Sequence, residues 1–301
     1  MVQLWELVSA GVFLAVALVS GNNLSACVGT AIGSGVVSRR FGTALGVAGY
    51  VVGLLAQGSS MAAAAQALLP HQSDFTASAA LFITVAIFIF GIAARVPLSL
   101  TMSLVGALAG ISVAGRLPLN HAFALTVVTT WFLAPVLAIV ATFMLFRVLS
   151  TFKPKDVWLT VRIYKALLIG LSFFTAYTLG ANTLGLVVAI GAFSPLNISL
   201  AVSAAVIGPI YFSRAQLRRV GRDFFSLRYS NALVTLLAST VLVEVATLFA
   251  IPLSNTQTLS AGIFGAGVSY RHKYFSSRSF FVVVASWVAA PLLGFAIGLI
   301  L

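Results

Sequence analysis

Two similar stretches, far apart in the chain, decide the fold: residues 97–115 read PLSLTMSLVGALAGISVAG, and residues 252–267 read PLSNTQTLSAGIFGAG. Each opens with a proline, continues with hydroxyl side chains, and then becomes rich in small residues. Proline lacks a backbone donor, so it starts a helix far more readily than it continues one. Each stretch therefore predicts a helix that begins inside an apolar region.

A second pair of stretches, dense in glycine, asparagine and hydroxyl residues, precedes the first pair. Residues 20–37 read SGNNLSACVGTAIGSGVV, and residues 180–191 read GANTLGLVVAIG. Pro97 follows Gly21 by 76 residues, and Pro252 follows Gly180 by 72. Because order and spacing are both kept, the chain contains an internal repeat. We expect the members of this second pair also to be too broken to cross a membrane as regular helices.

The composition is that of a membrane protein. Of 301 residues, 60% are hydrophobic and 7% are charged, and the mean hydropathy is +1.11. A soluble domain of this size needs a much larger charged surface. Between the broken stretches lie eight apolar segments that we interpret as spans of a bilayer about 30 Å thick. They are residues 2–20, 41–55, 77–94, 121–146, 166–179, 198–212, 231–251 and 279–301.

The net charge of +12, from 17 Lys and Arg against 5 Asp and Glu, lies mainly in short loops. Such loops favour membrane topology over nucleic-acid binding, because cytoplasmic loops collect basic residues. The basic clusters are 39–40, 147–165, 214–228 and 271–278. We predict a first transmembrane repeat at 1–146, a basic cytoplasmic linker at 147–165 and a second repeat at 166–301. A re-entrant segment at 255–267 would place 271–278 on the side opposite 214–228, against this rule.

Repeated, broken segments indicate a transporter. A helix breaks in hydrocarbon only where protein or a water-filled cavity satisfies its backbone, and paired breaks in two halves point to a substrate site. A helix start also exposes N–H groups that favour an anion. Close helix packing is the alternative explanation for the small and hydroxyl residues. The predicted substrate-binding residues are Ser99, Leu100, Thr101, Ser254, Asn255, Thr256, Asn22 and Asn182.

At these residues the sequence resembles the inorganic phosphate transporter family, usually called PiT, which carries a GANDVANA-type motif and a P-V-S-T-T-H motif in each repeat. Residues 20–35 match the first motif with its continuation, and Gly180, Ala181 and Asn182 match its second copy. The proline motifs match at Pro97, Ser99, Thr101, Pro252, Ser254 and Thr256. The resemblance implies an all-α polytopic membrane protein with two inverted-topology repeats and discontinuous, re-entrant helices. It also implies a carrier of inorganic phosphate.

The departures from the family pattern concern the coupling ion. The family's aspartates fall at Asn23 and Thr183, and the histidines of its proline motifs fall at Met102 and Gln257. A bound Na⁺ would then need neutral oxygens, and Glu244 is an intramembrane acid that could carry a proton instead. The ion-coupling candidates are therefore Asn23, Thr183, Gln257 and Glu244, with Na⁺ and H⁺ both open.

The same losses leave the substrate open between two tetrahedral oxyanions. Phosphate keeps a P–O–H group that needs an acceptor, whereas sulfate only accepts hydrogen bonds and suits a site of donors. Family resemblance favours phosphate, and the missing carboxylates favour sulfate carried by an H⁺-coupled permease of the same family.

The function predicted from the sequence is secondary active symport across the plasma membrane. The chain should be multi-pass, with a homodimer among its candidate partners besides the lipid bilayer. We expect no nucleic acid, no metal site and no cofactor apart from a bound Na⁺. An intramembrane enzyme is disfavoured because no HExxH motif or paired aspartates occur, and the absence of a Walker A loop disfavours an ATPase. A structural scaffold is the remaining alternative.

Overall fold

The computed structural model describes residues 3–69, 73–94, 96–151, 156–223, 229–269 and 277–301, with the side chains of 214–223 and 277–280 left aside. All regular structure in these ranges is helical. The first half contains α1 (Leu4–Gly33), α2 (Arg39–Gln57), a 3-10 turn (Gly58–Met61), α3 (Ala62–Leu68), α4 (Asp74–Ala94), α5 (Leu100–Ala114) and α6 (His121–Thr151). The second half contains α7 (Val157–Leu179), a π-helical turn (Gly180–Leu184), α8 (Gly185–Ile190), α9 (Pro195–Asp223), α10 (Tyr229–Leu248), α11 (Asn255–Ser269) and α12 (Ser277–Ile300).

Eight helical segments in the described ranges are long and apolar enough to cross a membrane, which confirms the expected polytopic all-α class. They coincide with the eight predicted spans, although α2 joins α3 in one segment and α7 joins α8 in another. Much of the predicted linker is helical, because α6 continues through Thr151 and α7 begins at Val157. Asp156 caps α7, since its Oδ1 accepts a hydrogen bond of 3.0 Å from the Leu159 amide. Residues 152–155 lie outside the described part, as do all the side chains of clusters 214–228 and 271–278.

The expected break at residues 20–37 is wrong, because α1 runs as one helix of 30 residues to Gly33. Its glycines and serines serve helix packing. A β-carbon on Gly21 would lie 2.6 Å from the Gly208 carbonyl oxygen of α9, and the Ser20 hydroxyl lies 3.4 Å from the Ala204 carbonyl oxygen. Small residues allow two helix backbones to approach closely without interrupting either of them.

The expected break at residues 180–191 is also wrong in its original form. The stretch belongs to one continuous span, Val157–Ile190, in which only Gly180–Leu184 departs from α-helical geometry and forms a π-helical turn. A π-helical turn inserts one extra residue while the helix continues. The turn therefore changes where the side chains after it point without cutting the span.

The proline stretches form the discontinuities that were expected. Helices α5 and α11 each have 15 residues, which is roughly 22 Å of helix. Each follows a non-helical segment, 96–99 before α5 and 251–254 before α11. Both helices therefore begin inside the protein, next to a proline.

Helices pack across the two halves in reciprocal pairs. Helix α1 packs against α9, and its counterpart α7 packs against α2. Ser9 of α1 donates to the Asn197 side-chain oxygen (2.8 Å), and Ser20 lies further along beside Ala204, so α1 and α9 run parallel. Helices α2 and α7 are also parallel, as the closest neighbours of Gly49 and Gly53 show: Phe173 and Ala176 for the first, Tyr177 and Ala181 for the second.

A second reciprocal pairing involves the two short helices. Helix α5 packs against α12, and α11 packs against α6. The nearest backbone atoms to Gly294 and Gly298 belong to Ser103 and Ala107 in turn, so α5 and α12 run parallel. Helix α11 runs parallel to α6, because Gln257 bonds to Trp131 and Gly265 lies against Ile139. Each short helix therefore packs, near its start, against a long helix from the other half of the chain.

Candidate functional site

The start of α5 is a capped helix N-terminus. Ser99 is in extended conformation, and its hydroxyl accepts a hydrogen bond from the Met102 amide at 3.4 Å. Its carbonyl accepts from the Ser103 amide at 3.1 Å. Within the described ranges, the amides of Leu100 and Thr101 have no protein acceptor. The first turn of α5 therefore presents two free N–H groups and the positive end of the helix dipole.

The start of α11 repeats this arrangement. The Ser254 carbonyl accepts hydrogen bonds from the Gln257 amide (3.1 Å) and the Thr258 amide (3.2 Å). The hydroxyls of Ser254 and Thr256 bond to each other at 2.9 Å. The Asn255 and Thr256 amides find no protein acceptor among the residues described. Two helix starts with hydroxyls and free amides thus occur at matching places in the two halves.

The carbonyls of the two prolines are held by donors from the long helices. The Trp131 indole N–H donates to the Pro252 carbonyl at 2.8 Å, and the Ser286 hydroxyl donates to the Pro97 carbonyl at 3.1 Å. Neither Trp131 nor Ser286 was among the residues predicted from the sequence. Trp131 and Ser286 are 155 positions apart in the sequence, as are Pro97 and Pro252. This equal spacing identifies the two donors as counterparts in the repeat.

Asn182 holds the segment that leads into α11. Its side-chain nitrogen donates to the Ile251 carbonyl (2.9 Å) and the Thr247 hydroxyl (3.0 Å), and its side-chain oxygen accepts from the Leu253 amide (3.0 Å). Asn182 is fully buried. The π-helical turn places this side chain against residues 251–253. Both the amide nitrogen and the amide oxygen of Asn182 are therefore hydrogen-bonded within the protein.

Asn22, the counterpart of Asn182 in the first motif, has different surroundings. Its side-chain nitrogen donates to the Asn23 side-chain oxygen at 3.1 Å, and the residue is partly exposed. The π-helical turn contacts the start of α5 in the first half, where the hydroxyls of Thr101 and Thr183 lie 3.2 Å apart. The structure therefore brings Thr101 next to Thr183, and Asn182 next to residues 251–253, which precede α11. The side-chain amide of Asn22 bonds only to Asn23 within the described residues.

The remaining predicted residues differ in their environment. Asn255 and Gln257 lie in the first turn of α11 and are buried. Glu244 lies on α10, and its Oε2 is buried without a hydrogen-bond partner in the described structure. No hydrogen bond joins Glu244 to the other predicted residues among those described. The side chains around the two helix starts are neutral, so the electrostatics there come from amides and helix dipoles.

The fold and this paired site define a helical membrane transport protein. Over 99% of this chain and 98% of the other, the structure is similar to that of a solved protein described as the sodium-dependent phosphate transporter, with a TM-score of 0.85 and 15% sequence identity. That likeness establishes the fold.

The sequence also matches a known family. Residues 19–164, 146 of the 301 residues, match the profile of the phosphate transporter family, which confirms the resemblance that the motifs indicated. It is also similar to the "putative phosphate permease" of Methanocaldococcus jannaschii, with 24% identity over 178 residues. That match covers 58% of each chain, so the chain spans little more than half the length of this relative. Both likenesses are to transport proteins, in agreement with the expectation that the chain is not an enzyme.

Proposed function

We propose that the protein carries inorganic phosphate across the membrane as a secondary active transporter. The observation that carries this proposal is the pair of helix starts at Ser99 and Ser254, each with two free amides and hydroxyl groups. Such ends bind anions, because the N–H groups and the helix dipole favour negative charge. The names of the family and of its relatives support phosphate as the anion.

We infer that the two halves have inverted topology. Helix α2 follows α1 after a short connection and turns back along it, and α2 runs parallel to α7, so α1 and its counterpart α7 point in opposite directions. The same reasoning applies to α2 and α9, since α9 runs parallel to α1. An inverted repeat requires an odd number of crossings in each half.

Counting α5 and α11 as crossing elements supplies that odd number. Each short helix of roughly 22 Å, extended by about 13 Å from its four-residue non-helical lead, exceeds the roughly 30 Å of the hydrocarbon core. Each half then crosses five times. The clusters 39–40, 147–165, 214–228 and 271–278 all fall on one side, which removes the conflict with the positive-inside rule that a re-entrant α11 created.

Labelling of single cysteines from outside the cell tests this topology. In a Cys27→Ser background, Ser73→Cys and Ala192→Cys should react from the same side, and Ser38→Cys from the other; all three positions are exposed. Cys27 itself is fully buried, so the parent protein is the control for background reaction. Four crossings in each half would instead place Ala192→Cys on the side of Ser38→Cys.

For the coupling ion we propose Na⁺ bound by neutral oxygens, with Asn23 and Thr183 as candidate ligands; Gln257, the third neutral candidate from the sequence, is assigned to the substrate below. The solved relative's description as sodium-dependent supports this choice. Proton coupling through Glu244 is the second candidate, because its Oε2 is buried without a partner among the described residues. Location in the plasma membrane and assembly into a homodimer remain predictions.

Uptake of radiolabelled phosphate and sulfate into proteoliposomes tests the function. We expect phosphate to accumulate in response to an inward Na⁺ gradient and to stay near background when choline replaces Na⁺. Glu244→Gln is the matched variant, since it keeps the shape of the side chain and replaces the carboxyl group by an amide that cannot exchange a proton with the gradient. Uptake that follows a pH gradient and is lost in Glu244→Gln would favour proton coupling, and uptake of sulfate alone would favour the sulfate permease. Uptake of neither anion under any gradient would contradict the proposed function.

A further inference from the structure

Two buried hydrogen-bond acceptors in the first turn of α11 have no partner. They are Asn255 Oδ1 and Gln257 Oε1, and no donor reaches either of them in the described part of the chain. The two side chains are only 3% and 1% exposed. An acceptor buried in this way is costly unless a ligand or water donates to it. These oxygens therefore require a donor from outside the protein.

The orientation of both amides is fixed by backbone carbonyls. Gln257 Nε2 donates to the Trp131 carbonyl at 2.9 Å, and Asn255 Nδ2 lies 3.3 Å from the Thr175 carbonyl. Turning either amide over would bring two acceptor oxygens together, so the unpartnered atom in each side chain is the oxygen. The same turn supplies the free amides of Asn255 and Thr256. Free backbone donors and unpartnered side-chain acceptors therefore occur in the same helical turn.

The first half lacks these acceptors. The offset of 155 positions that relates Pro97 to Pro252 places Leu100 opposite Asn255 and Met102 opposite Gln257. Both counterparts are buried and apolar. The two helix starts are therefore alike in their amides and hydroxyls and unlike in their acceptors. Leu and Met are close in size to Asn and Gln, which gives the chain its own matched substitutions.

We propose that Asn255 and Gln257 determine substrate specificity by accepting the P–O–H hydrogens of phosphate, of which H₂PO₄⁻ has one for each residue, so that the site selects oxyanions that keep a proton over sulfate. This inference rests on the proposed function. Sulfate would place an unprotonated oxygen against each amide oxygen and leave both acceptors unpaired. A site built to bond to a substrate O–H rejects analogues without it much more strongly than an apolar pocket rejects a change in size. The missing carboxylates therefore do not make this a sulfate site.

Competition with four anions tests the proposal. Phosphate and arsenate keep a proton on oxygen near neutral pH, whereas sulfate and selenate do not. The wild-type protein should take up radiolabelled phosphate and be inhibited by arsenate at a concentration at least about tenfold lower than by sulfate or selenate, because one unmet hydrogen bond changes affinity by roughly that factor. Gln257→Met should reduce this ratio about tenfold, and Asn255→Leu should reduce it independently.

The ratio of inhibition constants separates specificity from folding, since a smaller amount of folded protein lowers uptake without changing the ratio. Leu125→Met, on the exposed face of α6, is the control and should leave the ratio unchanged. A wild-type protein that takes up phosphate but is inhibited equally by sulfate would overturn the inference. So would variants that keep the ratio and change the Na⁺ concentration for half-maximal uptake, because the acceptors would then bind the cation. If the wild-type protein takes up no phosphate at all, the proposed function itself fails.

Discussion

Replacing Gly53 by valine should prevent α2 from packing against α7 and lower the free energy of unfolding by about 2–5 kcal/mol. A β-carbon at Gly53 would overlap the Tyr177 carbonyl oxygen and lie 3.0 Å from the Ala181 amide nitrogen. These are backbone atoms of a packed helix, so they cannot turn aside as a flexible side chain could. The contact is reciprocal, because a β-carbon at Gly180 would overlap the Tyr50 carbonyl.

The control for this substitution is Gly170→Ala on α7. No atom lies within 4 Å of a β-carbon built there, and alanine favours helix over glycine by about 0.5–1 kcal/mol. Gly170→Ala should therefore unfold at the wild-type temperature or slightly above it, while Gly53→Val unfolds much lower. The measurement is thermal unfolding of both variants in the same detergent. Equal unfolding temperatures would show that the α2–α7 contact does not hold the halves together.

Asn182→Leu should destabilise the protein and abolish uptake, whereas Asn22→Leu should affect uptake alone. Removing the Asn182 amide leaves the buried Leu253 N–H and Ile251 carbonyl unpaired, at about 1–3 kcal/mol each. The segment before α11 then loses the side chain that positions it. The Asn22 side chain makes one hydrogen bond, to Asn23, and the residue is partly exposed, so loss of this side chain should change the free energy of unfolding by less than about 1 kcal/mol.

Thermal unfolding and phosphate uptake, measured on the same preparations, distinguish the two roles. Asn182→Asp adds a further test, since it keeps an acceptor for the Leu253 amide but turns a charged oxygen toward the Ile251 carbonyl. It should be intermediate in stability between wild type and Asn182→Leu. If Asn182→Leu unfolds like wild type and Asn22→Leu does not, the positioning role belongs to the first motif instead.

The discontinuous helices could be predicted from sequence because their cause is local. Pro97 and Pro252 lack a backbone donor, and Ser99 and Ser254 follow at the positions where a helix start needs an oxygen acceptor. Apolar length was equally informative for the eight spans. In both cases the residues that form the element also determine its conformation.

The continuity of α1 could not be predicted, because the effect of a glycine depends on its neighbour in space. In the sequence, Gly21 predicts a helix break, yet in the structure its lack of a side chain is what allows α9 to approach α1. Asn22 and Asn182 occupy the same motif position, but only Asn182 follows the start of a π-helical turn and reaches residues 251–253. The free acceptors of Asn255 and Gln257 were also invisible, since they depend on which carbonyls hold the two amides.

The most direct test of the central claim is the position of a bound anion. Crystals of the protein soaked with arsenate, a heavier tetrahedral oxyanion, would locate the arsenic by anomalous scattering. We predict one strong peak between the first turns of α5 and α11, within hydrogen-bonding reach of Ser99–Thr101 and Ser254–Thr256. A strong peak farther than about 10 Å from all of these residues, roughly two helical turns, would contradict the site and the mechanism built on it.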